Sequence, residues 1–174
     1  MTILPHGKPA TVNDVVVYRS DQGPWPTKSG GRMHVILAFP KAILEKMIHV
    51  DEHELQRTPK VQLGIRAFHT KGIAEGTVGG KHFHRIKQEV ISLSSGKVEF
   101  LMEDVYGDIR KIVLDQHTRA LLIPPFVMHT YTALDQSELI GVSNTLYDHE
   151  DPETHDTYLQ DVFDELKAYY SAHL

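Results

Sequence analysis

An all-β barrel or sandwich with a helical tail is the fold class this sequence predicts, on three observations. β-branched and aromatic runs recur roughly every eight to twelve residues, with Gly, Pro and Asp turn signals between them. No strand–helix–strand rhythm interrupts them, which argues against a parallel α/β sheet. After Pro152 the apolar spacing becomes helical.

Taken in order, residues 1–13 read as an arm and residues 15–18 (VVVY) as a short strand. Gly and Pro punctuate 21–32 into a loop, with Trp25 between two prolines as a plug over a barrel end, a subunit contact or a ligand-stacking ring. Residues 33–39 read as a second strand. Between 40 and 55 Ile43, Leu44, Met47, Ile48 and Leu55 recur at helical spacing behind Pro40, so a short helix is expected, with its end near His49. His49 and His53 lie four apart there, but the surrounding Asp51, Glu52 and Glu54 mark a solvated face. Residues 61–69 read as a barrel strand and 72–80 as a glycine-rich connector. No helix signal follows it, so a phosphate-cradling loop is excluded. Further strands are expected at 81–84, 89–94, 97–102, 110–114, 120–123, 128–134 and 139–146, with turns at Ser95-Gly96 and Tyr106-Gly107-Asp108. Asp156 or Thr157 would cap the tail helix. Its apolar face is Tyr158, Leu159, Val162, Phe163, Leu166, Tyr169 and Tyr170.

The bulk numbers exclude several classes. A chain of 174 residues, 41% hydrophobic and 24% charged, is long enough for one well-filled core. A net charge of −5 favours neither nucleic acid nor an anionic membrane. Cysteine is absent, so thiolate sites and disulfides are impossible, and a reducing cytoplasm is the expected location. No stretch approaches the roughly 20 apolar residues of a membrane span. Histidine, at 12, is the unusual count.

One subset of those histidines has ligand spacing. In GGKHFHRIKQEVISLSSG, His82 and His84 are two apart, so a strand would send both to one face. Glu89 would join from the next strand, and His129 from IPPFVMHTYTAL behind a Pro-Pro turn. Three imidazoles and a carboxylate form a common divalent transition-metal set, suited to Fe, Mn, Ni, Co or Zn. Four protein ligands would leave an open position for Lewis-acid or oxygen chemistry. Tyr131, which shares a strand face with His129, and His69, at the end of the preceding strand, are the candidates for proton transfer. Lys81 and Arg85 should face away from the metal, and Lys87 should sit in the bend, within reach of an anion at the mouth.

The spacing H-x-H, four residues, Glu, six residues, Gly, followed later by a Pro-rich turn and His, resembles the two-part cupin signature across residues 61–158. The resemblance implies a cupin-type double-stranded β-helix (jelly roll) with the metal inside. It expects an N-terminal region 1–60 with a short helical segment, a barrel 61–150 and a C-terminal helix 151–174 packing on the barrel or on a partner. It also implies a homodimer. The sequence departs from the family's P-x-G-x-x-H, since Phe126 follows Pro125. Within cupins, GGKHFHRIKQE, IPPFVMH and the segment from Asn144 to DPETHDTY are similar to the zinc-binding C-terminal cupin of capsular-polysaccharide reductases. The tail also looks like that of the ketoisomerases acting on thymidine-diphosphate keto-deoxy sugars. Those carry a Tyr on the preceding strand and an Arg three residues before the first His, where this chain has Phe68-His69 and Gly79.

That likeness implies isomerisation or epimerisation of a keto-sugar, with a sugar nucleotide as small-molecule substrate, in surface-polysaccharide synthesis. The same ligands also support an Fe(II)-dependent dioxygenase. A non-catalytic small-molecule-binding cupin is the alternative from a different class.

Overall fold

The computed structural model describes residues 4–19, 24–33, 35, 38 and 40–173. Eleven strands, three α-helices and two 3₁₀ turns follow one another along these residues. The elements are β1 (Val16–Arg19), β2 (Trp25–Pro26), β3 (Arg32–Met33), α1 (Lys41–Ile48), α2 (Glu52–Arg57), β4 (Leu63–Ile73), β5 (Val78–His82), β6 (Glu89–Ser95), β7 (Val98–Glu103), β8 (Ile109–Leu114), β9 (Thr118–Ile123), β10 (Met128–Ala133), β11 (Ser137–Thr145) and α3 (Gln160–His173).

Two antiparallel sheets make the jelly roll, one of five strands in the order β1-β9-β6-β11-β4 and one of four in the order β5-β10-β7-β8. Between them lies the main core, with Leu93, Val98, Phe100, Met102, Leu114, Leu121, Ile123 and Leu139 buried together. β6 explains why its sequence reads as a nearly continuous apolar run. Ile91 and Leu93 face the core while Val90 faces outward, where Ile43 and Met47 of α1 cover it. α3 lays Phe163 and Leu166 on Phe83, Val105, Phe126 and Met128, a second cluster beneath the metal box. Each such side chain contributes about 1.5–3 kcal/mol when fully buried.

Several expectations shift. The short helix expected after Pro40 is α1, which ends before His49, and a second, unexpected one follows because Asp51 accepts hydrogen bonds from the backbone N–H groups of His53 and Glu54. Glu54 is not on a solvated face but buried. Trp25 plugs nothing: it is 41% exposed and pairs with Met33 in the β2–β3 ribbon. The strand expected at 33–39 falls mostly outside the described residues. The connector at 72–80 is shorter than expected, with β4 running to Ile73 and β5 starting at Val78. Neither Asp156 nor Thr157 caps the tail helix, which starts at Gln160. No helix among the described residues is long and apolar enough to cross a membrane.

Candidate metal centre and cavity

β5 and β10 are antiparallel neighbours, and His82 lies directly opposite His129. A bulge makes that register possible. Lys81 is the extra residue, in a left-handed conformation (φ 60), and Gly80 beside it also has φ 84. Its Gly80 neighbour has no room for a Cβ, which would come 2.7 Å from the His129 carbonyl oxygen. β5 ends at His82, so His84 reaches the same point from the bend that follows, and Glu89 does so as the first residue of β6. One donor atom from each of His82, His84, Glu89 and His129 lies within 4.8 Å of the others.

The ring nitrogens facing away from this point are all occupied. His84 Nδ1 lies 2.6 Å from the Asp156 carbonyl, and His129 Nδ1 lies 3.1 Å from that of Val127. His82 hydrogen-bonds the backbone of Gly80. A carbonyl can only accept, so His84 and His129 carry their protons on Nδ1 and turn Nε2 lone pairs inward. His129 Nε2 lies 3.2 Å from His82 Nε2, and His84 Nε2 lies 3.5 Å from Glu89 Oε2. The His84 Nε2 atom is buried without a hydrogen-bond partner.

Electrostatics keep the donors in ligating form. Burial first, then the neighbouring His84, pushes His82 down to about 4. Burial and then His82 push His129 down to about 3. Burial alone would raise Glu89, but His84, Lys87 and His129 together hold it well below the usual carboxylate range. The imidazoles of His82 and His129 held neutral, an ionised carboxylate and the orphaned inward nitrogen of His84 suit a divalent transition metal.

A cavity of about 250 Å³ opens from this cluster into the barrel. Tyr131 lines it, as strand parity with His129 predicts, and its ring lies over Gly79, directly opposite on β5. Phe68 lies likewise over Gly141. Lys87 is not at the mouth but buried in the wall, its Nζ 3.6 Å from Glu89 Oε1. Burial lowers its pKa more than Glu89 raises it.

His69 does not join the cavity. Arg66, Phe68 and Thr70 of β4 line it, so His69 faces the other way, its Nε2 3.0 Å from Glu138 Oε2. It leaves the list of proton carriers. The expectation rested only on the position of His69 at the end of the strand; its face is that of Ile65 and Ala67, which points outward. Ile65 is 62% exposed.

Two supporting residues were not foreseen. Asp156, buried and at φ 47, accepts from the backbone N–H groups of Arg85, Ile86 and Lys87 at 3.1, 2.8 and 2.6 Å, which shapes the bend that carries His84. Asn144 holds the next residue by accepting from Gln88 N–H at 2.8 Å. The DTY of the tail was the available signal for Asp156. Arg85 faces away from the cluster as expected and is paired with Glu54. The glycine missing from the Pro-rich turn leaves its mark at Phe126, which takes a left-handed φ of 63 while its N–H donates to the His84 carbonyl at 2.7 Å.

No curated protein matches the sequence. Among solved structures, a 3,4-ketoisomerase from Helicobacter canadensis is similar at a TM-score of 0.58 and 13% identity, over 91% of this chain and 98% of that one. WlaRA, a TDP-fucose-3,4-ketoisomerase from Campylobacter jejuni, gives 0.50 and 21% over 62% and 74%. QdtA, a sugar 3,4-ketoisomerase from Thermoanaerobacterium thermosaccharolyticum in complex with TDP, gives 0.50 and 18% over 60% and 74%. These likenesses establish the cupin jelly roll and nothing finer. A family model described as FdtA: WxcM-like, C-terminal matches residues 52–162, more than half the chain, and the chain belongs to that family.

Proposed function

We propose that this protein isomerises or epimerises a keto-sugar, carried on a nucleotide, by moving a proton at a carbon beside the ketone. The observation that carries the reading is the set of inward-facing, unprotonated imidazole nitrogens at the base of a sugar-sized cavity. The family and the fold neighbours, described as sugar 3,4-ketoisomerases, point the same way.

His82, His84, Glu89 and His129 would hold the metal. A bound divalent ion supplies Lewis acidity, stabilising negative charge on a carbonyl oxygen. The other tasks fall to the chain's own groups. Phe68, Ile91, Phe100 and Leu139 line the cavity and exclude water from the reacting carbons. Lys87 places a positive charge beside the cluster, where an enolate oxygen would be stabilised. Tyr131 Oη carries a proton at the wall, and with His69 outside, it is the catalytic candidate that remains.

Metal-loaded protein incubated with TDP-4-keto-6-deoxyglucose in D₂O should incorporate deuterium beside the ketone, read by NMR. Absence of uptake sinks the proposal. A second reading of the cluster rests on the 3.2 Å between His82 and His129 Nε2 atoms, which also suits a shared proton. Elemental analysis of protein purified without added metal decides between them. Oxygen consumption on addition of Fe(II) and an organic substrate would move the protein to the dioxygenase class.

A further inference from the structure

Glu89 is the carboxylate of the cluster, and the residues on either side of it are both fastened to one helix. Strand parity sends Glu89 inward and Gln88 and Val90 outward. Val90 packs against Ile43 and Met47 of α1. The Gln88 side-chain amide donates to the carbonyl of Lys46 at 2.7 Å and to that of His49 at 3.1 Å. Both carbonyls belong to the C-terminal end of α1, where regular intrahelical partners run out. One amide nitrogen, with two N–H groups to give, closes that end from a distant part of the chain.

The bend before Glu89 has no frame of its own. Among the described residues, no backbone hydrogen bond joins two residues of 83–88. Tyr158, Phe126 and Asp156 secure residues 83–87. Gln88 is held by Asn144, which accepts its N–H, and by α1. Glu89 therefore enters the cluster from main chain that α1 grips on both flanks. α1 lies outside residues 52–162, the span of the family match. The groups that orient a ligating side chain set its affinity nearly as much as the donor atom does.

We infer that α1 is a brace for the metal carboxylate, with Gln88 as a positioning residue. The helix fixes the main chain before and after Glu89, and so fixes the approach of that side chain to the three imidazoles. The inference rests on the metal reading of the cluster. Its test is titration of the full chain with Co(II), whose visible absorption bands report coordination geometry as well as affinity.

Gln88→Glu keeps the size of the side chain but turns an acceptor toward two carbonyls. It should weaken Co(II) binding about tenfold and shift the bands. Gln88→Lys returns a donor to the helix end and should recover most of the affinity. Glu45→Gly loosens α1 from its exposed side, whereas Glu45→Ala removes the same charge without loosening it. The Gly variant should lose affinity severalfold and the Ala variant should lose none. Added to Gln88→Glu, Glu45→Gly should cost less than it does alone, since both act through one helix.

Should Gln88→Glu not fold, Gln88→Ala takes its place with the same expectation. A helix that served stability alone would lower the urea midpoint and leave affinity and bands where they are. Unchanged affinity and bands in the Gln88 variant, or in Glu45→Gly, overturn the inference. A wild type that takes up no Co(II) sinks the metal reading, and the brace with it. Wild-type uptake with indifferent variants sinks the brace alone.

Discussion

Arg85 and Lys87 sit two residues apart in one bend, both are buried, and each faces a glutamate, yet the two pairs differ in kind. Arg85 donates from Nε to Glu54 at 2.7 Å and touches it again through Nη2. The same carboxylate also accepts the His6 N–H and faces Arg57 at 3.6 Å. That pair is the tighter one, with its charges neutralised and its carboxylate oxygens used, although Arg85 Nη2 makes no hydrogen bond. Lys87 stands 3.6 Å from Glu89, a looser contact, and the wall it belongs to borders open volume. The closed pair ties the N-terminal arm and α2 to the barrel. The open one leaves an ammonium and a carboxylate in loose contact beside a cluster of imidazoles. A polar group buried with all its partners builds structure, whereas one buried short of partners is available to a ligand.

The sharpest way to break this contrast is to remove one member of the closed pair. Glu54→Ala should strand the Arg85 charge and cost about 3–5 kcal/mol, measured by urea unfolding. A loss below about 1 kcal/mol would mean that Arg85 finds water instead. Next in size is Asp156→Ala, since both pairs hang from the bend it clamps. Losing three charge-assisted hydrogen bonds should cost about 3 kcal/mol and also lower metal uptake, as His84 loses its fixed approach. Unchanged metal content would show that the bend holds itself.

Lys87→Met should be the opposite case. Burial already disfavours its charge, so stability should change by less than about 1 kcal/mol in either direction, while enolate formation in D₂O should fall at least tenfold. Full exchange in this variant would remove Lys87 from the chemistry.

A further effect concerns pH. His82 and His129 are held at about 4 and about 3, below the ordinary histidine value. Between those values and about 6.5 the unfolded chain binds more protons than the folded one. Metal-stripped protein should therefore keep its full stability above about pH 6.5 and lose it gradually as pH falls toward 4. A flat urea midpoint across that window would mean the imidazoles are not desolvated.

How much of this was legible in the sequence follows from what each signal measures. His82, Glu89 and His129 were readable because strand geometry and turn length are local; the H-x-H spacing also picked out His84, although it stands in the bend after β5 and not on the expected strand 81–84. The barrel was readable because turn residues recur between apolar runs. β4 was misread because His69 was placed only by its position at the end of a weakly alternating strand, and strand parity puts it on the outer face with Ile65 and Ala67, while Arg66 and Phe68 face the cavity. Arg66 was lost with it. Glu54 was invisible for a different reason, and Asp156 showed only through the DTY of the tail. Each acts on a bend far away in the chain, and nothing in their neighbours' spacing records a contact of that range.

The two rings that lie flat on bare backbone carry a last consequence. A methyl at position 79 would come 2.4 Å from the Tyr131 ring, and one at 141 would come 2.0 Å from that of Phe68. Either would swing an aromatic plate into the chamber without touching a single donor atom. The capacity of the barrel is therefore tied to two missing carbons, far in kind from the donor atoms at its base.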